Sequence, residues 1–200
     1  MALLIDKKDV PQFVRVVDGL KSHAGNYVFR VNEINEADNW NPQGTTAKSM
    51  GGFNFSTEDK ILRWIHRGDT LYDVSIPMGA DVIDCSRDYN PKSVYRTNKI
   101  ILTNPRKITN EMIIDLYHKS TLPDNVLFQC LAVFSYRGYL NAAIQIIDEK
   151  INKNNIDACL MEFRQTIARR NDGAMGSFDE KNLWTEAKII YSLLQNIKYN

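Results

Sequence analysis

The sequence predicts an α+β fold: a small mixed sheet with helices over residues 1–105, then an all-helical hairpin stack, ankyrin-like in form, over residues 106–200. Three observations predict it. Before Pro105, short β-branched and aromatic runs are punctuated by Gly, Asn and Pro. Beyond Pro105 the apolar period lengthens from two to about three and a half. Across the 200 residues, 44% hydrophobic and 24% charged side chains are the balance of a chain with a core to bury.

Taken in order, Asp9, Pro11 and the apolar positions Phe13, Val14, Val16, Val17 and Leu20 predict an N-terminal helix ending near Ser22. His23-Ala24-Gly25-Asn26 reads as a stop, and Tyr27 to Val31 as a strand. Asn32 to Gly52 is polar, with Gly51-Gly52 and a single Trp40, and reads as a long loop, which a compact domain keeps when the loop has a task. Phe53 and Phe55 fall on one side of a short strand. Ser56 or Thr57 can cap the helix that follows, and Glu58 and Asp59 suit its positive end. Leu71, Val74 and Ile76 form a strand stopped by Pro77, Val82-Ile83 a shorter one, and Val94 to Leu102 another ended by Asn104-Pro105.

In the second half Thr109 caps a helix carrying Met112, Ile113, Leu116 and Tyr117. Pro123 opens the next, with Val126, Leu127, Leu131 and Phe134, and Gly138 separates it from a third with Leu140, Ala143, Ile144 and Ile147. Asn152 to Asn155 is a break, and Ile156 to Arg170 is a fourth helix with Leu160, Phe163 and Ile167 inward. After Gly173 and Gly176, Ser177-Phe178-Asp179-Glu180 has the pattern of a capping box for a last helix bearing Leu183, Ala187, Ile190 and Leu194.

Charge excludes little but points away from nucleic acid. The net charge is +1, with 13 basic and 13 acidic residues up to Pro105 and 12 and 11 after it, so neither half carries an excess. The apolar run Ala2-Leu3-Leu4-Ile5 ends at Asp6, too short for a signal peptide, and no run approaches membrane-spanning length. The expected location is the cytoplasm. Cys85, Cys130 and Cys159 are widely spaced and odd in number, which argues against a disulfide framework or a zinc site. His23, His66 and His118 lack ligand partners at useful spacing, so no metal and no cofactor is expected. His66, near a helix end, reads as a cap. The hydrolase elbow, the phosphate-binding glycine loop and the metalloprotease helix motif are all missing.

Arg63 and Arg67, one helical turn apart with Trp64 and His66 nearby, form either a cationic face for an acidic partner or an ordinary solvated helix face. Arg164, Arg169 and Arg170 make a second cationic cluster where a helix ends; the dipole alone offers a reason for it, and a nucleic-acid-binding role, third among the readings, would rest on it.

Two resemblances add to this. Gly52-Phe53-Asn54-Phe55-Ser56-Thr57, Ile61-Leu62-Arg63-Trp64, Leu71 to Pro77 and Tyr95-Arg96-Thr97-Asn98-Lys99-Ile100-Ile101-Leu102 together resemble the N-terminal domain of giant-virus ankyrin-repeat proteins and related viral and phage proteins. The likeness spans about Tyr27 to Tyr117. Leu131, Gly138, Leu140, Ile146 and Ile147 fall where an ankyrin hairpin keeps its glycine and core, although the Thr-Pro-Leu-His signature and a repeat of about 33 residues are missing. A fainter likeness is to ADP-ribosyltransferase folds, in which Arg30, Thr57 and Tyr95 would flank a nucleotide. The late strand offers Arg96, Asn98 and Lys99 where that family has a catalytic Glu, so this likeness implies an enzyme or an inactive nucleotide-binding relative.

The functional expectation is an intracellular interaction module, a viral or phage accessory protein that binds a host or cellular protein. Its contacts are expected at Trp40, Arg63, Arg67, Tyr136, Arg137 and Tyr139, since aromatic and arginine side chains carry much interface energy. Tyr139 serves equally well as a packed hairpin residue.

Overall fold

The computed structural model describes residues 12–22, 27–85, 94–172 and 176–199, without the side chains at 47, 171 and 172. The Ala2-Leu3-Leu4-Ile5 run, the start of the expected first helix, the His23–Asn26 stop and Gly173 lie outside them. The chain forms two compact units: Met1–Ile61 with Arg67–Lys107, and Leu62–His66 with Ile108–Asn200. The architecture is mixed α and β.

The first unit is a seven-stranded sheet in the order β2-β7-β4-β1-β3-β6-β5. Its strands are β1 (Phe13–Val17), β2 (Ile34–Glu36), β3 (Phe53–Thr57), β4 (Thr70–Ser75), β5 (Val82–Asp84), β6 (Tyr95–Thr97) and β7 (Lys99–Lys107). Every pairing between these strands is antiparallel, so the sheet is larger and more uniform than a small mixed one. The expected N-terminal helix is instead β1. Val14, Val16 and Val17 are β-branched and stiff, and β1 pairs on both sides, with β3 and with β4. Burial between two neighbours outweighs a helical spacing that the same five residues could also satisfy.

Tyr27 to Val31 forms no strand of its own. Isolated bridges, Lys21 with Val28 and Val31 with Leu102, the Asn35 side chain on the Arg30 backbone and the buried Phe29 hold it in place. The polar stretch 32–52 is more structured than a plain loop, since it contains β2 and a short helix α1 (Ala47–Met50). The expected Val94–Leu102 strand is two strands broken at Asn98, and β7 runs on through Pro105. A bulge permits this. Between the pairs Leu71–Arg106 and Asp73–Thr103, β4 has one residue and β7 has two, Asn104 and Pro105, with Asn104 at a φ of 50°. The extra residue lets a proline that cannot donate remain in the sheet.

One face of the sheet buries Val17, Phe29, Phe53, Phe55, Tyr72, Val74, Ile100 and Leu102, so Phe53 and Phe55 do share a side. After β3 the chain enters a 3₁₀ helix (Glu58–Arg67) rather than an α-helix, and the Thr57 hydroxyl caps nothing.

The second unit is helical: α2 (Asn110–His118), α3 (Asp124–Arg137), α4 (Leu140–Lys150), α5 (Ile156–Asp172) and α6 (Thr185–Tyr199). Thr109 accepts from the Met112 N–H at 3.2 Å and caps α2, and Gly138, at a φ of 81°, ends α3 in the left-handed conformation that L side chains resist. The Asn110 side chain accepts from the Ala142 N–H in the first turn of α4. α3 is buried nearly all round, and α4, α5 and α6 all pack on it. The Ser177–Glu180 segment is not the cap of the last helix. Asp179 instead caps a short 3₁₀ turn (Glu180–Asn182), accepting from the Lys181 N–H at 3.0 Å, and α6 begins only at Thr185.

Candidate functional site

In the helical unit three element ends converge: the last turn of α3, the last turns of α5 and the first turn of α6. Ser135, Tyr136, Gly138, Arg170, Trp184 and Glu186 line the resulting cleft of about 370 Å³, near the low end of the roughly 300–1,000 Å³ range of ligand pockets. Local chemistry sets each piece. The αL glycine stops α3 so that Tyr136 lies at its edge. Arg170 closes α5, where a cation suits the carbonyl end. Trp184 precedes α6, and its carbonyl accepts from the Lys188 N–H at 3.0 Å.

The Arg170 guanidinium lies 3.9 Å from the Tyr136 ring centroid and 5.9 Å from that of Trp184, and the two rings meet edge to face at 6.1 Å. Stacking holds the guanidinium plane while its exposed N–H edges stay available for a bidentate acceptor. The Trp184 indole N–H is buried and makes no hydrogen bond, a cost that an added acceptor would relieve. Burial pushes the Tyr136 phenol pKa up, and the Arg170 and Arg137 charges pull against it, so Tyr136 is a neutral donor at physiological pH. Against these donors the lining offers one carboxylate, Glu186. The cleft is aromatic, rich in donors and suited to a negative group.

A second groove of about 400 Å³ is lined by Arg164, Gln165, Ala168, Arg169, Gly176 and Phe178. Arg164 donates through Nε to the Tyr191 hydroxyl at 3.1 Å and lies over the Phe178 and Tyr191 rings. Arg169 donates to Gln165 at 3.0 Å. The last turns of α5 thus carry arginines into both openings.

The residues expected to make contacts are dispersed. Tyr136 is in the cleft. Tyr139 is only 7% exposed, a packed residue at the start of α4 rather than a surface contact. Arg137 points elsewhere and donates to the His66 carbonyl at 2.8 Å. Trp40 is a strut: its indole N–H donates to Asp81 at 3.0 Å, and its ring sits where a Cβ on Gly52 would come within 2.6 Å, so Gly52 (φ 69°) stays bare. Arg63 and Arg67 do not share a face. A 3₁₀ helix turns every three residues, so positions four apart diverge. Arg63 lies over the Trp64 ring at 5.1 Å, and Arg67 donates to Asn54 at 3.2 Å in the sheet unit.

Of the alternative trio, Thr57 and Tyr95 both neighbour Phe13, Thr57 as its partner across β1 and β3 and Tyr95 through a ring contact. Arg30 is exposed and paired with Glu33 at 3.2 Å. Thr57 is 5% exposed, and Tyr95 packs against Phe13 and Phe55. Among the described residues no group of three His, Cys, Asp or Glu side chains converges as metal ligands, and no helix is long and apolar enough to cross a membrane. No family model, curated protein or solved structure matches this chain.

Proposed function

We propose that this chain is an intracellular protein-interaction module, of the kind viral and phage accessory proteins use to bind and modulate a host protein. Its contact site is the cleft between α3, α5 and α6. The observation that carries this reading is Arg170, exposed and stacked on Tyr136 beside the unsatisfied Trp184 N–H. Trp, Tyr and Arg are the side chains most enriched at binding hot spots, and here all three border one opening. The excess of donors and the neighbouring Arg164 and Arg169 select an acidic segment of the partner. Antiparallel helical hairpins, ankyrin-like in form, suit this role because they present side chains along an outer face.

Selection of displayed random peptides on the immobilised full-length chain tests the reading. Enrichment of sequences in which Asp or Glu accompanies an aromatic residue is expected, with the enrichment absent from Arg170→Ala. A selection that yields no acidic consensus, or the same consensus on Arg170→Ala, contradicts it.

A further inference from the structure

Two opposite charges border the cleft without meeting. Arg170, in the last turn of α5, and Glu186, in the first turn of α6, both line it. Among the described residues the Arg170 guanidinium makes its ring contacts alone, and the Glu186 carboxylate has neither an ion pair nor a hydrogen bond. The other lining donors do not serve Glu186. The Ser135 hydroxyl donates to the Ala132 carbonyl at 2.7 Å, and the Trp184 indole N–H has no acceptor at all.

Each charge has a local reason to be where it is. Stacking on Tyr136 fixes the plane of Arg170 and leaves its N–H edges open, and the N-terminal end of α6 favours a carboxylate. Neither reason neutralises the charge. In the open cleft water serves both groups, and a partner that fills the cleft removes that water. A desolvated charge left unpaired is costly. A segment bearing acid alone would satisfy Arg170 and set Glu186 against like charge, whereas one bearing an acid and a base satisfies both.

We propose that the partner segment carries a basic side chain beside its acidic one, the acid meeting Arg170 and the base meeting Glu186, so that Glu186 sets the specificity of the cleft. This rests on the interaction reading above and adds to it the charge pattern of the partner. Further acidic residues of the segment suit the neighbouring groove that Arg164 and Arg169 line.

Anisotropy of short fluorescent peptides on the full-length chain tests the inference. Each peptide holds one Tyr and one Glu among Gln residues, and a Lys is walked through the remaining positions. In at least one register the Lys should tighten binding roughly tenfold over the Lys-free peptide. Glu186→Gln should abolish that gain while binding the Lys-free peptide at least as tightly as wild type does, which also shows that the variant is folded. Glu186→Lys should prefer a second Glu to Lys in that register, and Arg170→Ala should weaken every peptide. Suppose instead that the Lys-free peptide binds through Arg170 and Lys brings no gain in any register, or a gain that survives in Glu186→Gln. That result overturns the inference and leaves the interaction reading standing. Binding undiminished in Arg170→Ala, or no binding by any peptide, overturns both.

Discussion

Arg170 stacks on Tyr136 at 3.9 Å across a sequence gap that only the packing of α3 and α5 closes. The contact lies at the surface and joins an exposed cation to a half-buried ring. Cation–π pairs at exposed sites contribute about 0.5–1 kcal/mol. Arg170→Ala should therefore lower unfolding free energy by no more than about 1 kcal/mol in urea titrations. A larger loss would make Arg170 a structural pin rather than a contact.

The core behaves differently. Phe134 is fully buried in α3, the helix against which α4, α5 and α6 pack. Phe134→Ala should destabilise the protein by about 3–5 kcal/mol, the cost of lost burial plus the cavity left behind. A shift in the urea midpoint with unchanged slope is the expected reading.

Asp69 gives the sheet unit a pH signature. A hydrogen bond from Lys107 is the main cause of its lowered carboxyl pKa, with Thr70 and the Gly19 N–H adding to it. A carboxylate depressed on folding contributes stability above its unfolded value, near 3.8, and that stability is lost as pH falls through the lower folded value. Asp69→Asn should accordingly be less stable than wild type at neutral pH, and the gap should close in acid below the folded value. A gap independent of pH would assign the effect to packing.

Cys130 and Cys159 are buried, and burial pushes both thiols up to about 12, against a weak opposing pull from Arg63 on Cys130. Neither forms thiolate at physiological pH, and thiolate is the reactive species. Both should resist a thiol-modifying reagent in the native protein and react at once in denaturant. Rapid native labelling would mean that the helical unit opens locally.

Much of the scaffold was legible because local rules governed it. Thr109 as a cap, Gly138 as a stop, and Phe53 with Phe55 on one side of a strand all follow from neighbouring residues. What failed was decided at long range. Phe13 to Val17 fits a helix or a strand by spacing, and it is a strand because β3 and β4 lie on either side of it. Trp40 reads as part of a long polar loop, yet a carboxylate at Asp81 ties it down. Pro105 looked like a strand end, and a bulge at Asn104 absorbs it.

The candidate site was harder to read for the same reason. Tyr136 drew notice beside Arg137 and Tyr139, but those neighbours turn to the His66 carbonyl and to the interior. Its working partners, Arg170 and Trp184, are remote in sequence, and neither carries a local motif. A tryptophan just ahead of a helix start, with arginines at the end of the helix before it, was the signal available.

The affinity of a fluorescent acidic peptide for the full-length chain, followed by anisotropy, tests the central claim most directly. Binding should weaken at least about tenfold in Arg170→Ala, since a charge-assisted hydrogen bond contributes roughly 1.5–3 kcal/mol, while Arg30→Ala binds as wild type does. An affinity unchanged in Arg170→Ala would contradict the account.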